Sequence, residues 1–266
     1  MTDIANPEAL APEAASPRSG YWKFWGTTLW LVAIIAAYTI VGAIVVVAGV
    51  VWLGLGSGLD LSKSEIHRQL LFAHGALPIS TAIGAAAASA FAVLALAVRL
   101  SRIGMRDYLG LVLPQWRHAM IGLAGFVLLF IVFLLIKSLV GESLSPKFVI
   151  DLYHDAYSLG YLPAMVMGLV VLAPVMEELL VRGFLLRGWA ASRLGPTGAI
   201  LLTSAIWMAG HISQYDVLIL IWIFMMGLLF GWLRQRSGST LLTIFLHAMQ
   251  NTAALIQVAI LYPPAN

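Results

Sequence analysis

Cysteine is absent from the whole 266-residue chain. Disulfides, thiolate zinc sites and a cysteine nucleophile are therefore excluded. Charge is scarce: Asp, Glu, Lys and Arg make up 10% of the residues, against 61% hydrophobic ones. A soluble globular domain carries about 25% charged residues, so that class is excluded as well. An internal repeat is also missing, and with it the two similar halves on which the common transporter folds are built. Nothing marks a second domain, and nucleic acid is not among the expected partners.

What fills the chain instead is a series of apolar runs: Leu29 to Leu53, Ala82 to Val98, Met120 to Ile136, Met165 to Met176, Ile200 to Ala209, Val217 to Leu233 and Leu241 to Leu261. A helix crosses the hydrocarbon of a bilayer in about 20 residues. The expected fold is all-α: a polytopic membrane helical bundle of about seven transmembrane helices. The fourth span is interrupted by glutamates and the fifth is short. Eleven of the 15 basic residues fall before span one or in the connections two to three, four to five and six to seven. The other four, Lys63, Arg68, Lys137 and Lys147, lie among acidic residues in the alternate loops. The positive-inside rule then predicts a cytoplasmic N-terminus and an outer C-terminus.

Residues 1–20, rich in Ala, Pro, Glu and Ser, are expected to be a disordered cytoplasmic tail. The charged, proline-rich stretch before the first apolar run is too long for a cleaved signal. Tyr21, Trp22 and Trp25 read as an interfacial aromatic belt. Residues 21–157 are expected to hold the N-terminal transmembrane helices and residues 158–266 a catalytic helical core. Asp60 to His74 reads as a polar outer segment, Arg99 to Arg117 as a basic cytoplasmic loop and Gly141 to Gly160 as the longest outer loop. Polar side chains at mid-depth are concentrated after Ser158: Glu177, Glu178, His211, His247, Gln250 and Asn251.

A carboxylate in hydrocarbon costs about 3 kcal/mol even on lenient scales, so ionisable groups there usually face a cavity or a partner. Glu178 and Arg182 are four apart, acid before base, a spacing that favours an ion pair and reads as a structural clamp. Glu177 is turned about 100° away and cannot fully share that partner. It is suited to proton transfer, although a second pairing with Arg187 or a histidine stays open. His247 and Asn251 share one face of the last span. They read either as donors to a developing oxyanion or as an interhelical hydrogen bond. His211, at the end of a helix, is by itself a weak signal. Taken together, Glu177 and a histidine hold and deprotonate a water while the His–Asn pair holds the tetrahedral oxyanion, a peptidase arrangement without a covalent nucleophile.

These residues resemble the membrane-embedded CPBP (Abi) family, which includes the type II CAAX prenyl endopeptidases and bacterial bacteriocin-processing or self-immunity relatives. The family motif Glu-Glu-x-x-x-Arg stands here as Glu177-Glu178-Leu179-Leu180-Val181-Arg182. Phe-x-x-x-His reads Trp207-Met208-Ala209-Gly210-His211, with tryptophan in place of phenylalanine, which narrows the pocket. The third motif reads His247-Ala248-Met249-Gln250-Asn251. The resemblance covers about the last 110 residues and implies a glutamate-dependent intramembrane endopeptidase. By that resemblance Glu177 is the general base, working with His211 on the water. His247 and Asn251 form the oxyanion site, and Glu178 and Arg182 brace the first motif. No cofactor is favoured; zinc on Glu177, His211 and His247 is the alternative, against which stands the lack of a His-Glu-x-x-His pair. The implied partners are the lipid bilayer and a membrane-associated protein or peptide substrate, in a bacterial inner (plasma) membrane. Rhomboid-type Gly-x-Ser-Gly fails at Leu55, and the presenilin-type pair has Tyr215-Asp216 without Gly-x-Gly-Asp. A non-enzymatic immunity or scaffold protein that keeps the motifs stays open, and a small-solute transporter less so.

Depth counting creates a conflict. Glu177 comes out about 21 Å from the outer entry at Pro163, and His211 near the opposite face. A shared water requires them within about 10 Å. Either the fifth helix begins well outside the bilayer or it is strongly tilted, with residues 211–216 lining a water-filled cavity. That cavity is expected to open toward the cytoplasm, with a lateral gap for substrate.

Overall fold

The computed structural model describes residues 22–57 and 76–264. The tail and the Asp60 to His74 segment therefore lie outside the described residues, as does Tyr21. Among the described residues every regular element is helical: α1 (Phe24–Ser57), α2 (Ala76–Leu100), α3 (Met105–Leu109), α4 (Trp116–Leu139), α5 (Lys147–Ser158), α6 (Leu162–Ala190), α7 (Gly195–Ala209), α8 (Val217–Ser237) and α9 (Thr240–Leu261). Six of these, α1, α2, α4, α6, α8 and α9, are long and apolar enough to cross a membrane, and α7 is a shorter apolar helix. The all-α bundle of about seven spans is thus six full-length helices and one of about 22 Å.

Two segments depart from the sequence reading. The fourth span does not end at Met176 but runs unbroken to Ala190, over 29 residues. It does so by loosening into π-helical turns at Met167–Leu172 and Leu179–Leu185, on both sides of the glutamates. Such turns are found frequently at functional sites. The long outer loop is also not all loop. Lys147–Ser158 forms the amphipathic α5, which buries Val149 and Ala156 and exposes the Lys147–Asp151 pair. Apolar residues three and four apart along it explain why a segment of low overall hydrophobicity is helical.

In a bilayer, helices associate through close packing rather than by escape from water, so small residues mark the contacts. A Cβ on Gly188 of α6 would sit 1.9 Å from Thr27 Oγ1 of α1, and one on Gly227 of α8 would sit 2.8 Å from Ser204 Cβ of α7. Trp22 is half-buried. Its indole donates to the Ala97 carbonyl at 2.8 Å and ties α1 to α2, while Trp25 is exposed as expected. At the arginine-rich end, Arg234 Nε donates to Thr240 Oγ1 at 2.8 Å, and Thr240 Oγ1 donates to the Leu109 carbonyl at 2.5 Å. Ser239 and Asp216 cap α9 and α8 by accepting from Leu242 N and Ile219 N, each satisfying one of the donors a helix start leaves open. These contacts fix the ends of α8 and α9, and with them the histidine and asparagine that α9 carries.

Candidate active site

Glu177 is residue 16 of the 29 in α6, counted from Leu162. The depth conflict is resolved at the fifth helix rather than in α6, where Glu177 still lies 15 residues beyond Leu162. α7 is too short to reach the far face, so its C-terminus stops at the level of Glu177. His211 Nε2 lies 4.0 Å from Glu177 Oε2, well inside the reach of one shared water.

The hydrogen-bond partners define what each group can do. His211 Nδ1 lies 2.7 Å from the Trp207 carbonyl, which can only accept. Nδ1 therefore carries the hydrogen, and the Nε2 lone pair of the neutral ring faces the carboxylate. Two acceptors then face each other at a separation too long for a direct bond. A water placed between them would donate to both and keep its own lone pairs outward.

Glu178 sits in a different environment. Its Oε1 accepts from Arg182 Nη1 at 2.8 Å, and both side chains are fully buried. The same Oε1 lies 3.1 Å from His247 Nδ1. Arg182 also donates to the Gly227 carbonyl at 3.4 Å and lies 4.2 Å from the centroid of the Trp207 ring. The clamp read from the i,i+4 spacing is present, with His247 as a third member that the spacing did not reveal.

That third member bears on the oxyanion reading. His247 donates through Nδ1 to a carboxylate, so in the neutral ring its Nε2 is an acceptor. Asn251 Nδ2 donates to the Leu169 carbonyl, inside the first π-helical segment, at 2.8 Å. One of its two amide hydrogens is therefore committed to holding α9 against α6. The expected pair is adjacent to the site, with much of its donor capacity already used.

Glu177, Trp207, His211, His247 and Asn251 line one cavity of about 540 Å³, walled by apolar side chains of α1, α4 and α5 such as Ile35, Phe130, Phe133 and Phe148. His211, Gln214 and Tyr215 from the 211–216 run line it too. A second, apolar pocket of about 210 Å³ lies between α1, α2 and α6 and shares Glu177, Ile35 and Leu180 with the first. The larger cavity draws on the second half of α4, on α5 and on the start of α8. The connections with Arg99 to Arg117, Arg193 and Arg234 to Arg236 are at the other end of the bundle. On the positive-inside assignment this half of the bundle is the outer one.

Three further residues meet the site. Trp207 is more than an aromatic wall: its Nε1 hydrogen donates to Glu177 Oε2 at 2.5 Å. The replacement of phenylalanine in the motif was the available signal, since only tryptophan brings a donor. Tyr215 stacks on His211 with centroids 5.9 Å apart. Burial, and then the Glu177 charge, push its phenol up to about 12. Gln250 Oε1 is buried without a partner among the described residues. No three His, Asp or Glu side chains among the described residues form a group able to hold a metal. Glu177 lies beside His211, and Glu178 is paired with His247.

Residues 159–253 match the family model described as type II CAAX prenyl endopeptidase Rce1-like. The matched segment contains the three motifs and leaves α1 to α5 outside. Neither a curated protein nor a solved structure matches the chain. The match agrees with the resemblance carried by the motifs and points to a CAAX-protease-type peptidase. With the six membrane-length helices, it fits an integral membrane protein.

Proposed function

We propose that this protein is an intramembrane endopeptidase that cleaves a membrane-associated protein or peptide with a water activated by Glu177. The observation that carries the reading is the 4.0 Å gap between Glu177 Oε2 and His211 Nε2, with both atoms acting as acceptors. Water held there attacks the substrate carbonyl carbon as Glu177 takes one of its protons. That proton passes to the amide nitrogen as the C–N bond breaks, which leaves a carboxylate and an amine. Trp207 holds Oε2 in place, and His211 orients the water. The Glu178–Arg182–His247 cluster fixes the turn that carries Glu177. The reaction is read without a metal, since no three His, Asp or Glu side chains among the described residues form a group able to hold one. The apolar walls suit an apolar segment, and prenylated CAAX substrates remain one class among those to test.

The test is a substrate trap. Glu177→Gln, expressed in a membrane with the native protein as control, is expected to accumulate uncleaved membrane proteins that the native protein does not retain. These proteins should be cleaved by the purified native protein. Full retention of function in this variant would assign the chain to the scaffold or immunity reading instead. Because the chain has no cysteine, orientation can be tested with single substitutions. If the arginine-rich end is cytoplasmic, Ser158→Cys is labelled by an impermeant maleimide from outside and Thr197→Cys is not.

A further inference from the structure

Among the motif side chains around the cavity donors are in short supply, although the Gln214 and Gln250 amides also line it. Glu177 is an acceptor. His211 Nε2 and His247 Nε2 are acceptors in the neutral rings, because each Nδ1 hydrogen is given to a fixed oxygen. The Trp207 N–H is given to Glu177, and one Asn251 amide hydrogen is given to Leu169. A carbonyl oxygen that gains negative charge needs hydrogen-bond donors, and a wall of acceptors opposes that charge. The Tyr215 hydroxyl lines the same cavity and enters no hydrogen bond among the described residues. Its ring is held between His211, stacked at 5.9 Å, and Phe148, edge-on at 5.6 Å. The residue stands immediately before Asp216, whose carboxylate caps α8, so the backbone that carries it is pinned.

We propose that Tyr215 is a catalytic residue whose hydroxyl donates to the substrate carbonyl oxygen as it becomes the tetrahedral oxyanion. This rests on the peptidase reading. The hydroxyl keeps its proton throughout: it gives a hydrogen bond, while Glu177 takes the proton lost by water. With the phenol pushed up to about 12, the donor is present across the neutral range. The remaining Asn251 amide hydrogen can give a second bond. The stack on His211 places the donor beside the group that orients the water.

The full-length protein in detergent is titrated with two probes: an apolar peptide ending in leucinal and the same peptide ending in leucinol. Only the aldehyde hydrates to a tetrahedral carbon bearing two oxygens. The native protein is expected to prefer the aldehyde by about tenfold or more, since sites built for a transition state favour its mimics. Tyr215→Phe retains the ring stack and should unfold at the same temperature. It is expected to lose most of that preference while its affinity for the alcohol is unchanged. A merely structural tyrosine would move both affinities or neither. If the native preference survives in Tyr215→Phe, the proposal is overturned and the peptidase reading stands. If it survives there but is lost in Gln250→Leu, the donor is Gln250. If the native protein shows no preference at all, the proposal falls with the reading beneath it.

Discussion

Two faces of α6, about 100° apart, carry two adjacent carboxylates with opposite surroundings. On one face Glu178 is fully buried and shared by Arg182 and His247, with the guanidinium laid over Trp207 and Phe230. On the other, the Glu177 side chain is 32% exposed, takes one hydrogen bond from an indole and looks across a 4.0 Å gap at a histidine nitrogen. The difference separates structure from chemistry. A carboxylate saturated by charged partners cannot easily take a proton, whereas one that borders a cavity with an unshared acceptor opposite can. The identical residue type and the single step in sequence show that environment, not identity, sets the role.

The sharpest way to break this comparison is to remove the base while keeping its shape. Glu177→Gln retains an acceptor for Trp207 and is expected to lower hydrolysis of the trapped substrate by about 10²–10⁴-fold, the usual worth of a positioned general base. Thermal unfolding in detergent should not move. Substantial residual hydrolysis would return the chemistry to the Glu178 face. The reverse experiment is Glu178→Ala, which leaves the Arg182 charge buried with no carboxylate. Stranding one member of a buried pair costs about 3–5 kcal/mol, so this variant should show a large drop in unfolding temperature and in folded yield. An unfolding temperature equal to the native one would mean that the cluster is not what holds this turn of α6.

The clamp was legible in the sequence because Glu178 and Arg182 lie on one helix at a spacing with a single geometric meaning. The same holds for the all-helical fold, since 17 or more apolar residues in a row leave few alternatives. What spans separate helices was less legible. His247 as a partner of Glu178, and Trp207 as a donor to Glu177, depend on how α6, α7 and α9 face one another, which no local pattern encodes. The depth conflict came from letting the fifth helix cross the whole bilayer from Thr197, whereas α7 is a shorter helix that ends at Ala209. The continuation of α6 through Leu179–Leu185 is stabilised by burial of Phe184, Leu185 and Leu186 against α2 and α3, contacts distant in sequence. α5 was hidden because an amphipathic cover over a cavity is not apolar enough to look like a span.

A third face of α6 gives a packing control. Gly188 meets Thr27 Oγ1 and the Trp22 carbonyl of α1, at 1.9 and 2.6 Å from the position of an added Cβ. Gly188→Ala must push α1 away, and overpacking of this kind costs about 1–3 kcal/mol. Its unfolding temperature should fall by less than that of Glu178→Ala. The aldehyde-to-alcohol preference of the protein that remains folded should not change. A change in that preference would mean that α1, which also lines both pockets, helps to position Glu177.

The smallest expected effect tests the contact at which the two faces meet. Trp207 lies under Arg182 on the Glu178 side and donates to Glu177 on the other. Trp207→Phe keeps an aromatic surface for the guanidinium and removes only the N–H. A hydrogen bond to a charged group contributes about 1.5–3 kcal/mol, but Glu177 borders a cavity and can recover part of this from water. Hydrolysis is therefore expected to fall by about tenfold in kcat with KM little changed, since the indole holds the base and not the substrate. Stability should move little, because the stacked face remains. A loss of stability as large as that of Glu178→Ala, with hydrolysis intact in the folded fraction, would place Trp207 wholly with the clamp. The Glu177 carboxylate would then owe its position to the cavity wall alone.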